Sequence, residues 1–100
     1  MRIIARNKLV AYWTKHPSSQ ASLEHWYSIA AVAVWKSGND VMASFPKAKV
    51  LNAERVRFEI QGGNYRLIVS FHYGLEAGWI KFIGTHAEYD RIDVTTVDQF

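Results

Sequence analysis

Arg55-Val56-Arg57-Phe58-Glu59-Ile60 is followed by Gln61-Gly62-Gly63-Asn64, and then by Tyr65-Arg66-Leu67-Ile68-Val69-Ser70-Phe71-His72-Tyr73. Apolar and charged residues alternate in the first run, the two-residue period of a strand with one buried face. Two glycines flanked by amide side chains are hairpin-turn chemistry. On the return run Tyr65, Leu67, Val69, Phe71 and Tyr73 share one face, while Asn64, Arg66, Ile68, Ser70 and His72 share the other. Strands joined by so short a turn run antiparallel. Outward from the hairpin, Lys47 to Leu51 adds a strand before it. Gly74 to Gly78 forms a second turn, and Trp79-Ile80-Lys81-Phe82-Ile83 a third hairpin strand. Thr85-His86-Ala87-Glu88 has the spacing of a capping box, so a short final helix starts there.

Upstream the period is helical. Met1 to Ile4 reads as a short strand, and Asn7 is placed to cap a helix running to about Lys15, with Leu9, Val10 and Trp13 apolar. Pro17 keeps His16 out of the helical region, and a serine of Ser18-Ser19 caps the next helix. From about Ser19 to Lys36, Leu23, Trp26, Tyr27, Ala30, Ala31 and Val34 form an amphipathic stripe. Ser37-Gly38-Asn39 ends it, and Asp40 is placed to cap a short helix that Pro46 terminates. The expected fold is α+β: two N-terminal helices packed on an antiparallel β-sheet, with a short C-terminal helix. The helices cover one sheet face and leave the other open to a ligand.

With 100 residues, the chain is read as a single domain over 1–100. Its 49% hydrophobic and 14% aromatic content supplies a core and excludes a disordered polymer. No apolar run reaches the roughly 20 residues of a membrane helix, and the basic start Met1 to Arg6 leads into no signal-peptide core. Cysteine is absent, which excludes disulfides and thiolate metal sites. The four histidines lack ligand spacing, and phosphate-loop, dinucleotide-glycine and nucleophile-elbow motifs are missing. The expectation is a cytoplasmic protein without metal, cofactor or membrane partner. Net charge is +3 and the pI near 9.3. No acid precedes Glu24, and Lys47, Lys49, Arg55, Arg57 and Arg66 outnumber Glu54 and Glu59 in the middle. From Gly84 onward only Arg91 opposes Glu88, Asp90, Asp93 and Asp98. A basic middle suits phosphate contact; exposed strand faces also carry Lys and Arg for solubility.

The candidate chemistry lies near strand ends. Arg66 and Arg57 point away from the apolar face on adjacent strands, so they form a cationic patch across the hairpin or pair with Glu59. His86 stands in the first turn of the capped helix, where free backbone N–H groups favour anions. An imidazole titrating near neutrality serves as general acid or base. Tyr89, three residues on, shares its helix face. The plainer reading of His86 and Tyr89 is a packed surface histidine and a rim aromatic.

Val56-Arg57-Phe58-Glu59-Ile60-Gln61-Gly62-Gly63-Asn64-Tyr65-Arg66-Leu67-Ile68-Val69, with Phe82-Ile83-Gly84-Thr85-His86-Ala87-Glu88-Tyr89-Asp90-Arg91-Ile92-Asp93, resembles the HigB toxins. These are RelE-like members of bacterial type II toxin–antitoxin systems. Trp13-Thr14-Lys15-His16-Pro17, Trp26-Tyr27 and Trp35-Lys36-Ser37 extend the resemblance over nearly the whole chain. It implies a metal-free, ribosome-dependent messenger-RNA endonuclease using a 2′-hydroxyl nucleophile. Its implied partners are mRNA on the ribosome, a HigA-type helix-turn-helix antitoxin and, through that antitoxin, operator DNA. Arg66, His86 and Tyr89 match the motif positions and are the implied catalytic residues. Lys47, Lys49, Arg57 and Lys81 are placed by charge and strand geometry as RNA or phosphate contacts. Gly63-Asn64 stands where the family suggests Asn-Lys, which removes one basic contact at the hairpin. Two other classes fit the basic sheet: a non-catalytic RNA-binding module and a protein-interaction module using an edge strand.

Overall fold

The hairpin forms as its alternation requires. The computed structural model describes residues 1–100. In chain order the elements are β1 (Arg2–Ile4), α1 (Arg6–Lys15), α2 (Gln20–Val32), α3 (Gly38–Ser44), β2 (Lys49–Val50), β3 (Arg55–Ile60), β4 (Tyr65–His72), β5 (Ala77–Thr85) and α4 (His86–Tyr89). Single 3₁₀ turns cover Pro17–Ser19 and Tyr73–Leu75. The sheet order is β1-β5-β4-β3-β2. Strands β2 to β5 make the antiparallel meander, and β1 joins parallel to β5, so the α+β sheet is mixed rather than wholly antiparallel.

The helices cover one sheet face. Leu9 and Trp13 of α1, with Leu23, Trp26 and Ala30 of α2, share one core with Val56, Phe58, Ile60, Leu67, Val69 and Phe71. Phe58 sits at its centre: Trp26 meets it edge-on at 5.2 Å between ring centroids, Phe45 at 5.3 Å and Phe71 at 6.3 Å. The buried rings Phe58, Phe71 and Trp26 each contribute about 1.5–3 kcal/mol of transfer free energy, plus edge-to-face attraction, and Phe45, partly buried, contributes less.

The other face is only half open. Ile68 and Phe82, out of phase with that core, are nevertheless buried. The segment after α4 folds back over the sheet. Arg55 Nη1 donates to the carbonyls of Val94 (3.1 Å) and Val97 (2.7 Å). The Gln99 amide donates to the Lys81 carbonyl at 2.9 Å, and the Gln99 side-chain oxygen accepts from the Ile83 amide at 2.9 Å. The hairpin end, carrying Arg57, Glu59 and Arg66, remains accessible.

Several local expectations change. Asn7 lies inside α1; the cap is Ala5, an extended residue whose side chain has nothing to donate or accept. Ser19 precedes α2 in a helical conformation, and its hydroxyl donates back to the His16 carbonyl instead of capping. Helix α2 stops at Val32, short of Lys36. The Met1 ammonium donates to the Ala30, Ala31 and Ala33 carbonyls, ending the helix, and Trp35 then turns into the core. The cap of α3 is Ser37; Asp40 sits in its first turn and accepts the Lys36 amide at 2.9 Å. Strand β5 is longer than expected at both ends, because β1 pairs with Ala77–Trp79 and Tyr65 with Thr85.

Candidate active site

Cross-strand register assembles the basic patch. Lys49 pairs with Arg57, Arg57 with Ile68, and Glu59 with Arg66. Opposite residues of an antiparallel pair share a face, so Lys49, Arg57, Glu59 and Arg66 lie together on the open half-sheet. Arg57 Nη2 reaches Glu59 Oε2 at 3.3 Å and the Lys47 carbonyl at 3.2 Å. Its side chain is 14% exposed and its Nε is buried without a partner. The local ion pair weighed for Glu59 is therefore formed with Arg57, its neighbour along the strand.

Arg66 is held differently. Its Nε donates to the Gly63 carbonyl at 3.2 Å, and its guanidinium carbon lies 5.6 Å from the centre of the Tyr89 ring. Its terminal nitrogens have no hydrogen bond within the chain and are free to grip an anion as a fork. The turn permits this pose: Gly63 has φ +91°, and a Cβ there would meet Glu59 Oε1 at 2.8 Å.

Helix α4 positions Tyr89. Thr85 and Glu88 close the capping box: the Glu88 amide donates to Thr85 Oγ1 at 3.2 Å and the Thr85 amide to Glu88 Oε1 at 2.8 Å. The Thr85 amide, foremost, holds the Glu88 carboxyl below the usual carboxylate range. Burial opposes it, and the Thr85 hydroxyl, His16 and Arg91 assist. Gly84 faces Arg66 across the ladder, and a Cβ there would strike Phe82 at 2.6 Å and Glu88 at 3.2 Å. The His86 amide donates to the Asn64 carbonyl at 3.1 Å, tying α4 to the hairpin. The His86 imidazole is 57% exposed, with Nε2 3.5 Å from Asp90 Oδ1.

The structure thus brings Arg66 and Tyr89 into contact, with Arg57 and Lys49 alongside. Lys47 is exposed next to Arg57, and His86 stands one helical turn from Tyr89 with its imidazole turned to Asp90. Lys81 is apart. It is the extra residue of a β-bulge, since Ile68 pairs with Phe82 and Val69 with Ile80, and its ammonium reaches Asp98 at 3.4 Å.

A second cluster escaped the sequence reading. His16 stacks on Tyr12 with ring centroids 4.2 Å apart, and Tyr65 meets both edge-on at 5.8 and 6.0 Å. The Tyr65 hydroxyl pairs with that of Ser18 at 2.6 Å. Burial, then the charges of Glu88 and Tyr65, push the Tyr12 hydroxyl up to about 12. Tyr65 pairs with Thr85, so this cluster lies at the α4 end of the sheet, on the helix side. The signals were a histidine held outside the helix by Pro17 and a tyrosine opening β4; both also read as packing.

The arrangement offers a guanidinium fork on an aromatic ring, further cations on the neighbouring strands and an exposed imidazole at the same end. That set can bind a phosphate and move a proton. No three His, Asp or Glu side chains gather as a metal site would require, and no helix is long and apolar enough to cross a membrane.

No curated protein matches the chain. The family model HigB_toxin, described as the RelE-like toxic component of a toxin-antitoxin system, matches residues 19–92. That span runs from the start of α2 past α4 and contains every candidate residue from Lys47 to Tyr89. The chain belongs to the HigB toxin family, the RelE-like toxic components of toxin–antitoxin systems, and so has an antitoxin as its family partner.

Proposed function

We propose that this toxin is a ribosome-dependent mRNA endoribonuclease, neutralised by a helix-turn-helix antitoxin that also carries operator-DNA binding. The observation that carries the reading is Arg66, seated on Tyr89 with its terminal nitrogens free, on an open basic face of a chain of this family. In the proposed reaction the 2′-hydroxyl of one nucleotide gives up its proton to water and attacks the neighbouring 3′-phosphate. The new bond closes a 2′,3′-cyclic phosphate, and the 5′-oxygen of the next nucleotide leaves. Arg66 holds the phosphorane oxygens, with Arg57 and Lys49 adding positive charge and Lys47 at the rim. His86 gives a proton to the leaving oxygen after its imidazole swings away from Asp90, a motion its exposure permits. Tyr89 orients Arg66 and the scissile phosphate. The site is shallow, so the ribosome supplies the in-line alignment of the RNA. Lys81, engaged by Asp98, contributes long-range charge only.

The test is cleavage of ribosome-bound message by the parent, Arg66→Ala and His86→Ala proteins, with product ends analysed. The reading expects 2′,3′-cyclic or 3′-phosphate ends from the parent and a loss of at least about 10²-fold in each variant. Variants that are folded and cleave at the parent rate would overturn it. A parent that shifts RNA without cutting it would establish the non-catalytic binding module instead.

A further inference from the structure

Strand β2 ends before β3 does. It pairs only at Lys49–Arg57 and Val50–Val56, so the last residues of β3, paired with β4 on one side, have no strand on the other. In a strand, alternate residues direct their main-chain N–H and C=O to the same side. The Arg55 carbonyl accepts from the Leu51 amide at 2.8 Å, and the Gln61 amide donates to Ser22 Oγ at 2.8 Å, both on the β2 side. Glu59 lies midway between them in phase. Its amide and carbonyl therefore point past the end of β2 into a cavity of about 350 Å³, lined by Phe45, Pro46, Lys47, Phe58, Glu59 and Gly62. That volume lies within the range of small-ligand sites, roughly 300–1,000 Å³.

We infer that this cavity binds a single nucleobase of the RNA, beside the phosphate held by Arg66; the inference rests on the RNA-cleaving reading. Only one residue's donor and acceptor are free, because Arg57 pairs with β2 and the Gln61 amide is taken by Ser22. A peptide strand needs a run of such groups to form a ladder. A base edge needs one adjacent donor and acceptor. Phe45 and Pro46 supply an apolar wall for the face of a base, and aromatic walls accept any base by stacking. The Glu59 carboxylate is taken on one oxygen by Arg57 Nη2 at 3.3 Å, which leaves Oε1 to accept an N–H of the base. The ribose-phosphate lies outside, where the Lys47 carbonyl meets the Arg57 guanidinium and the cation row begins.

The experiment is amide NMR of the full chain, ¹⁵N-labelled, titrated separately with nucleosides, nucleoside 5′-monophosphates, ribose 5-phosphate and a short Thr-Val repeat peptide. Nucleosides and nucleotides are expected to shift the Glu59 amide, and ribose 5-phosphate to leave it in place. Phe45→Leu, which keeps an apolar wall and removes the ring, is expected to weaken nucleoside binding about fivefold or more. A Glu59 amide that ignores every base, or moves equally with ribose 5-phosphate, overturns the inference. Movement with the peptide alone also overturns it and makes the edge a protein dock. The Arg66 Nε–H signal reports the phosphate site separately. If it ignores every phosphate while Glu59 answers to nucleosides, the base cavity stands and the cleavage reading falls.

Discussion

Replacing Arg66 by lysine keeps the positive charge and removes the planar fork. Lysine has no Nε, so the 3.2 Å bond to the Gly63 carbonyl is lost, at a cost of about 0.5–1.5 kcal/mol. The guanidinium over the Tyr89 ring becomes an ammonium, an attraction about 0.5–1 kcal/mol weaker. Folding stability therefore falls by no more than about 2.5 kcal/mol, which a domain of ordinary stability survives. The chemical step suffers more. A lost transition-state donor costs about 10²–10³-fold in rate, and the ammonium, no longer aligned by Gly63 and Tyr89, recovers little of it. The assay is single-turnover cleavage of ribosome-bound message at saturating toxin, with urea unfolding as the control for fold. A loss in rate at saturation marks an interaction made in the transition state; weakened binding alone would mark ground-state contact. If the folded lysine variant cleaves within about threefold of the parent, far short of the loss of one oxyanion donor, the fork argument is refuted.

Other outcomes follow from the same geometry. Thr85→Ala removes the hydroxyl half of the capping box; stability in urea should drop by about 1 kcal/mol, while the Glu88 carboxyl should stay below its ordinary range in an NMR titration, because the Thr85 amide that chiefly lowers it is kept. Acidification acts on the same box. Since Glu88 titrates lower in the folded chain than unfolded, its contribution is present above the ordinary carboxylate value and lost as pH falls through the lowered one, seen as fraying of the α4 amides. At alkaline pH the sign reverses for Tyr12. Its hydroxyl titrates at about 12 folded against 10.0 unfolded, so stability should decline as pH rises between those values, and Tyr12→Phe should flatten that decline in a urea series. Phe58→Ala, emptying the centre of the core, should cost about 3–5 kcal/mol by the same measurement.

The meander was legible because its signals are local: strict alternation from Arg55 to Ile60, glycines in the turn, and a capping box whose two halves lie three residues apart. The end of α2 was not, because the groups that end it, the Met1 ammonium and the buried Trp35, come from outside the helical pattern. Coverage of Ile68 by the residues after α4 was hidden for the same reason: an acidic tail gives no sign that its carbonyls will meet Arg55. In the candidate site, strand phase placed Arg57 and Arg66 on one face and helix spacing placed Tyr89. Side-chain direction was out of reach. Whether His86 reaches toward Arg66 or Asp90 is a rotamer choice, and the displacement of Lys81 follows from a bulge that no residue pattern marks.

The most direct test replaces the 2′-hydroxyl at the scissile position of a ribosome-bound message with hydrogen, leaving the rest of the RNA unchanged. The account predicts that the parent toxin cuts the all-ribose message at that position and leaves the substituted one intact there. Equal cutting of both messages would contradict it, since the nucleophile would then come from elsewhere than the RNA seated on Arg66.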